Sequence, residues 1–190
     1  MSTVSGHAAA APAAVPVLRN LADGDAWRRV HATLAEARTI AAAGRGVDAL
    51  RVALGGDEVT LSKLVRAGGQ DWMAVIAFGP SQAIEWWPVA EHPTVRRVIE
   101  TGVPYQVADT SPTAERGELE VLAAGGYRAL LLLPVEESGM ELGILEVYAS
   151  SPRRWSVAEI AHARAACNQL ATLLRVTQRA DVAAGVLHQA

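Results

Sequence analysis

The spacing of apolar residues predicts an amphipathic helix near the start of the chain. After Asp25, a favourable capping residue, apolar side chains recur at steps of three and four residues and therefore share one face. These positions are Trp27, Val30, Leu34, Ala37 and Ala41. The helix is predicted to end near Gly44, because glycine is common just beyond a helix.

The longest predicted helix lies near the other end of the chain. Ser156 and Glu159 have the spacing of a capping box, in which each side chain binds the backbone N–H of the other residue. An apolar stripe follows, made of Ile160, Ala163, Cys167, Leu170, Leu174 and Thr177. Each end helix therefore has a face that can pack on a sheet or on a second chain.

Between these helices, the first half of the chain predicts one hairpin. Residues 47–54 and 59–66 are β-type runs on either side of Gly55-Gly56-Asp57, and turn residues between two such runs favour an antiparallel hairpin. Residues 68–89 are not assigned, because their apolar positions fit a strand and a helical turn equally well.

The middle of the chain predicts short elements. Pro93 at a first helical position and Gly102 just past the end delimit one helix. Residues 103–108 then predict a strand at a sheet edge, because Pro104 cannot donate a backbone hydrogen bond. A further helix is predicted to end at Gly125.

A second hairpin precedes the last helix. Residues 127–135 and 141–149 are apolar β-type runs, and residues 136–139 provide the turn. Because hairpins outnumber crossover connections in this order of elements, we predict the α+β class with a mainly antiparallel sheet.

Composition sets the expected domain limits. A chain of 190 residues with 51% hydrophobic content favours one domain. Residues 1–22 are rich in small side chains and proline and predict a disordered arm. Residues 23–180 are then the domain, and residues 181–190 a tail.

Several classes of function are disfavoured by composition and motifs. A single cysteine, Cys167, excludes an intramolecular disulfide, and the five histidines show no metal-ligand spacing. A net charge of −3 without long runs of like charge argues against nucleic acid. The longest apolar run, residues 129–135, is too short to cross a membrane, so we expect a cytoplasmic protein. Motifs of nucleophilic or phosphate-binding catalysis are not found, and we expect no enzyme activity.

Four segments carry a resemblance to a known family: Glu91 to Pro104, Arg128 to Val135, Leu142 to Tyr148 and Arg154 to Ile160. In their order and spacing they resemble a GAF domain, over roughly residues 26 to 178. The resemblance implies a central antiparallel sheet of five to six strands. It also implies that the N- and C-terminal helices cover one face, while short helices cover a small-molecule pocket on the other.

Members of this family bind different ligands, so the resemblance leaves the cofactor unknown. The signature of cyclic-nucleotide members is not found, and Lys63 is the one lysine that this chain has to supply it. Bilin attachment needs a cysteine in the pocket, whereas Cys167 belongs to the stripe of the last helix. We therefore expect cyclic nucleotides and bilins to be disfavoured, while haem remains a candidate through His92.

Six residues are candidates for ligand binding. Two tryptophans would stack on a planar ligand, a strand carboxylate and tyrosine share one face, and a histidine and an arginine flank the short helix. They are Trp86, Trp87, His92, Arg96, Glu146 and Tyr148. Structural roles stay open beside these: the tryptophans as core residues, His92 as a helix cap, and Glu146 as the cross-strand partner of Arg51.

The stripes of the end helices provide candidate residues for a dimer interface, namely Trp27, Leu34, Ile160, Cys167, Leu170 and Leu174. Together with the resemblance, they predict a bacterial-type sensor domain that binds a small molecule and acts as a homodimer in signal transduction. Its further partner would be another signalling protein. The alternative is a ligand-free module for dimerisation or protein interaction.

Overall fold

The computed structural model describes the backbone of residues 16–77, 86–109 and 115–183. These residues form five α-helices: α1 (Pro16–Glu36), α2 (Ile40–Ala53), α3 (Pro93–Thr101), α4 (Arg116–Gly125) and α5 (Val157–Ala183). They also form six strands: β1 (Glu58–Ala67), β2 (Gln70–Ala77), β3 (Trp86–Pro88), β4 (Tyr105–Ala108), β5 (Ala129–Glu137) and β6 (Met140–Ala149). A short 3-10 helix, Val89–Glu91, precedes α3.

The strands form one sheet in the order β3-β2-β1-β6-β5-β4. Every neighbouring pair is antiparallel. The sequence-based prediction of an α+β fold with an antiparallel sheet of five to six strands is therefore confirmed. The long central strands β1, β6 and β5 hold its middle, and β4 lies at an edge as Pro104 indicated.

One face of the sheet is covered by α1, α2 and α5, which share a dry core with inward side chains of the central strands. Leu131, Leu145 and Val147 are fully buried there. The helices are also joined to each other, because Gln169 of α5 and His31 of α1 exchange hydrogen bonds of 3.1 Å. The end helices thus lie on one face, as the resemblance implied.

The other face carries a second apolar cluster beneath the 3-10 helix, α3 and α4. Val98 and Ile99 of α3 and Leu122 of α4 point into it. Because strand side chains alternate between faces, Leu132 and Ile144 join this cluster while their sequence neighbours belong to the first core. The pocket predicted by the resemblance lies on this face.

The predicted hairpin of residues 47–66 is wrong. Residues 47–53 belong to α2, which begins after Thr39, whose hydroxyl accepts a hydrogen bond from the N–H of Ala42. Ala43, Val47 and Leu50 are buried at helical spacing. The hairpin partner of β1 is β2, reached through Gly68-Gly69, where both glycines adopt positive φ.

The first helix also differs from its prediction. It begins at Pro16 and ends at Glu36, so Asp25 lies inside it and not at its cap, and α2 has already begun before Gly44. Residues 16–22 of the predicted disordered arm belong to this helix. Residues 1–15 and 184–190, which hold the rest of the predicted arm and most of the tail, lie outside the described residues.

Two predicted helix ends are confirmed in detail. Ser156 Oγ accepts a hydrogen bond from the N–H of Glu159 at 3.2 Å, and Glu159 Oε2 accepts one from the N–H of Ser156 at 2.7 Å. Pro93 opens α3, and Gly102 follows its end at φ 63°. These capping interactions fix where the two helices meet the sheet.

A side chain of the edge strand β4 binds the segment between β6 and α5. The amide of Gln106 donates to the carbonyl of Trp155 at 3.2 Å and accepts from the N–H of Trp155 at 2.7 Å. The indole N–H of Trp155 in turn donates to the carbonyl of Leu54 at 2.9 Å. The segment between β6 and α5 is thereby fastened to both the edge strand and the end of α2.

The predicted dimer residues have an intramolecular position. Trp27 and Leu34 of α1 and Cys167, Leu170 and Leu174 of α5 are at most 6% exposed, and Ile160 is partly buried against the same core. They pack into the core of their own chain, so an interface with a second chain would have to use other side chains of α1 and α5. Within the described residues, no helix has both the length and the apolar character to cross a membrane.

We predict that Gly143→Ala destabilises the fold by about 2 kcal/mol or more. A Cβ at Gly143 would collide with the carbonyl oxygen of Ser62 in the neighbouring strand, where backbone cannot move without breaking the β1–β6 pairing. Gly24→Ala is the matched control, because a Cβ there meets open space and alanine favours the helix by about 0.5–1 kcal/mol. Urea unfolding of both variants measures the difference, and equal stabilities would contradict this account of the sheet.

Candidate ligand-binding site

A cavity of about 890 Å³ lies between the second face of the sheet and the short helices. Its size is within the range of small-molecule sites. The sheet provides the floor through β1, β2, β5 and β6, and the 3-10 helix, α3 and α4 provide the walls. Apolar contact surface comes from Val75, Trp87, Val95, Leu130 and Leu132.

Glu146 is the buried carboxyl group of the floor. It lies on the central strand β6 opposite Thr60 of β1 and Leu132 of β5, and it is 8% exposed. Its Oε2 accepts a hydrogen bond from the Thr60 hydroxyl at 2.8 Å, and its Oε1 accepts one from the Tyr148 hydroxyl at 3.2 Å. Burial raises the pKa of Glu146, and the two hydrogen bonds oppose that rise.

Two tyrosines extend this polar group, and of these Tyr148 lines the cavity. The rings of Tyr148 and Tyr127 lie 5.0 Å apart, and the Tyr127 hydroxyl donates a hydrogen bond to Glu58. Burial raises the pKa of Tyr148 well above its usual range and, together with the carboxylate of Glu58, raises the pKa of Tyr127 to about 12. Both hydroxyls therefore stay protonated and act as hydrogen-bond donors at neutral pH.

A second group of oxygens lies on the helical side. The Thr94 hydroxyl of α3 donates to Oε2 of Glu115, which directly precedes α4, at 3.0 Å. One helical turn further, Glu118 is half-buried, and its Oε2 has no hydrogen-bond partner among the described residues. Burial is the main cause that raises the pKa of Glu118. These residues line the wall across from the sheet.

Trp87 and His92 form a further part of the wall. Their rings lie 4.4 Å apart between centroids at an angle of 60°. Trp87 is placed by its pairing with Met73 in β2, and His92 is the residue directly before Pro93 of α3. This arrangement gives the cavity an aromatic edge next to a polar ring nitrogen.

The cavity brings together four of the six candidate residues: Trp87, His92, Glu146 and Tyr148. Trp86 alternates away from it and is 50% exposed, and Arg96 lies on the exposed side of α3, 3.9 Å from Glu100. Whether the four bind a ligand stays a prediction. His92 is the N-cap residue of α3, as its alternative role predicted, and its carbonyl accepts a hydrogen bond from the N–H of Arg96 at 3.0 Å, but its side chain makes no capping bond.

The alternative pairing of Glu146 with Arg51 is wrong. Arg51 lies on α2, on the opposite side of the sheet, where it binds Asp48 at 2.7 Å and the carbonyl of Gly56 at 3.0 Å. The error follows from the assignment of residues 47–54 to a strand. In place of Arg51, the hydroxyl groups of Thr60 and Tyr148 bind Glu146.

Sequence reasoning missed Thr60, Thr94, Glu115 and Glu118. Thr60 would have followed from the alternation of β1 once its pairing with β6 was known. Glu115 and Glu118 are three residues apart at the start of α4, a spacing that places them on one side. That signal is common on exposed helices, so it could not identify a site by itself.

Solved structures with the same fold were found at low sequence identity. The phycoerythrobilin-bound GAF domain of a cyanobacterial phytochrome has a TM-score of 0.64 and 19% identity, and covers 83% of this chain and 97% of its own. A phycocyanobilin-bound GAF domain from a cyanobacterial phytochrome has a TM-score of 0.63 and 20% identity, and the match covers 79% of this chain and 92% of that domain. The far-red absorbing dark state of JSC1_58120g3 with bound biliverdin IXa has a TM-score of 0.63 and 17% identity, and the match covers 80% of this chain and 99% of that one. A search of curated proteins gave no match.

These structures overturn the expectation that bilins are disfavoured, since similar domains hold phycoerythrobilin, phycocyanobilin and biliverdin. Cys167 was the basis of that expectation. That residue does lie in the dry core on the other face, where burial raises the pKa of its thiol to about 12. Its position concerns one mode of covalent attachment, and it was wrong to extend it to the whole class of ligand.

We predict that Glu146 makes the stability of the fold depend on pH. Since its pKa is raised above the ordinary value of 4.5, its contribution is full below that pH and is lost as pH rises through the raised pKa. Glu146→Gln should therefore gain stability relative to the wild type as pH increases. Urea unfolding at a series of pH values measures this, with exposed Glu36→Gln as control. A difference between Glu146→Gln and wild type that does not change with pH would contradict the prediction.

A family model of the GAF domain matches residues 30–174 of the chain. This range begins within α1 and ends within α5, so it includes the whole sheet and the cavity. The family is one of sensory ligand-binding domains, which are generally not catalytic. By its sequence, its sheet and its arrangement of helices, the chain belongs to the GAF domain family.

Proposed function

We propose that the chain is a sensory domain that binds a small organic molecule in the cavity above Glu146, without catalysing a reaction. The observation that carries this proposal is a cavity of about 890 Å³ with a buried, hydrogen-bonded carboxyl group on its floor. A buried carboxyl group costs free energy unless it is compensated. A ligand that binds Glu146 would supply the compensation.

The size of the cavity favours this function over a ligand-free interaction module. A domain that served only to bind other proteins would gain stability by filling the space with side chains. Here α4 stands over the space, and Leu122 is its fully buried residue. The polar groups converge on the cavity from the sheet and the helices, as expected of a binding site.

Linear tetrapyrroles are one class of ligand to test, because similar domains hold them. Such a molecule presents pyrrole N–H groups along a planar body. Glu146 would accept hydrogen bonds from these groups, and Trp87 offers an aromatic surface beside them. Cys167 is the one thiol of the chain and lies on the other face of the sheet, so we propose that binding would be non-covalent.

We further propose that the domain works as a homodimer and transmits its state to another signalling protein. The support is the position of α1 and α5, which lie side by side on the face opposite the cavity. Val176 of α5 is 57% exposed and offers apolar surface there. We expect Val176→Glu to shift the dimer towards monomer in light scattering, and Val52→Glu on α2 to leave it unchanged.

Ala124→Trp is the variant that tests binding in the cavity. Ala124 lines the cavity from α4 and is exposed at its mouth, so a tryptophan would occupy the space without entering the core. Ala123→Trp is the matched control, because Ala123 is the neighbour of Ala124 on the same helix, is exposed and does not line the cavity. Native mass spectrometry of the purified chain and absorption titration with biliverdin measure binding.

The expected result is a bound small molecule, or a bilin absorption band, that Ala124→Trp reduces about tenfold or more in affinity and Ala123→Trp preserves. A bound bilin should be released by denaturation, since no thioether holds it. Ligands that bind both variants equally would place binding elsewhere. A chain that binds nothing across metabolites, bilins and haem would favour the interaction module.

A further inference from the structure

The charges around the cavity are strongly unequal. Among the described residues that line it, five are glutamates and one is an arginine. The glutamates come from every side and are Glu91, Glu115, Glu118, Glu120 and Glu146. The arginine, Arg116, is bound to Glu120 at 2.9 Å, and its side chain is 91% exposed. Besides Arg116, the described lining offers an anionic ligand one basic side chain, the imidazole of His92.

The acidic groups lie at two depths. Glu146 is on the floor and holds two hydroxyl donors, which leave lone pairs of its carboxylate oxygens for a further donor. Glu118 is half-buried in the wall with an unpartnered Oε2. The carboxyl group of Glu146 is withdrawn from water and held by the hydroxyl groups of Thr60 and Tyr148, whereas the positive charge of Arg97 acts on Glu118. Glu146 is therefore the acidic group whose charge a cationic ligand would balance.

A metal ion does not fit this site. Among the described residues, no three His, Cys, Asp or Glu side chains lie close enough together to hold one. The lining also includes apolar side chains, among them the buried Val95, Leu130 and Leu132. Such a surface would contact carbon atoms and not a hydrated ion.

We propose that the cavity selects an organic cation: a molecule with a protonated or delocalised N–H group for Glu146 and an apolar or aromatic body for the surface between Trp87 and Leu132. This inference rests on the proposed function, since it names the class of ligand for the same cavity. Charge-assisted hydrogen bonds are about twice as strong as neutral ones, so the charge of the ligand dominates its selection. Glu118 adds a second carboxylate for a ligand that carries a further N–H group.

Matched sets of small molecules test this, because each set keeps one ring and changes one charge. Tryptamine, tryptophol and indole-3-acetate form one set, and phenethylamine, phenethyl alcohol and phenylacetate form another. Ligand-observed NMR with the full chain detects binding, and titration then gives the affinities. We expect the amines to bind about tenfold tighter than the alcohols, which corresponds to about 1.4 kcal/mol, and the acids to bind weakest.

Variants separate the role of Glu146 from that of the cavity walls. Glu146→Gln should remove the preference for amines over alcohols while the alcohols bind as before, because glutamine keeps the shape and loses the charge. Glu118→Gln removes the charge at a second acidic position and tests the same preference if Glu146→Gln folds poorly. Glu36→Gln, exposed at the end of α1, should preserve the preference.

Three outcomes count against the inference. Alcohols or acids that bind as tightly as the amines would overturn the selection of cations, although the proposed binding function would stand. An amine preference that survives in both Glu146→Gln and Glu118→Gln would overturn the assigned residues. A chain that binds neither these sets nor the ligands tested above would overturn the proposed function itself.

Discussion

Alternation of side chains along β1, β5 and β6 is the constraint on which the rest of the structure depends. Successive residues of a strand point to opposite faces, so one central strand must serve two different environments. On β6, Leu145 and Val147 enter the dry core beneath the long helices, while Glu146 and Tyr148 face the cavity. The strands that make the fold stable thus also provide the polar floor of the site.

This arrangement explains how a buried carboxyl group is tolerated in the centre of the sheet. A register shift by one residue would move Glu146 to the face of the hydrophobic core and away from the hydroxyl group of Thr60. The pairing with Thr60 places a hydroxyl donor beside the carboxyl group, and Tyr148 on the same strand supplies a second. The polar floor therefore depends on the register as much as the core does.

The sequence predicted those features for which one local signal points to one structure. The capping box at Ser156, the proline and glycine that delimit α3, and the strand pair β5–β6 were all predicted from residue types at fixed spacing. The first hairpin was not, because the apolar run of residues 47–54 fits both a strand and a buried helix, and Gly55 serves equally at a turn and beyond a helix end. The candidate site shows the same division. Alternation on β6 identified Glu146 and Tyr148, whereas the wall formed by α4 depends on tertiary packing that no local pattern encodes.

The side chain of Gln106 has a consequence for how the sheet can grow. Its amide donates to and accepts from the backbone of Trp155, so the segment before α5 is held beside β4. A strand that joined this edge of the sheet would meet that segment next to it. At the other end, β3 has three residues and terminates in a proline, which leaves few backbone groups to recruit a neighbour. Strand addition is thus limited at one end by the short length of β3 and at the other by the segment that Gln106 holds beside β4.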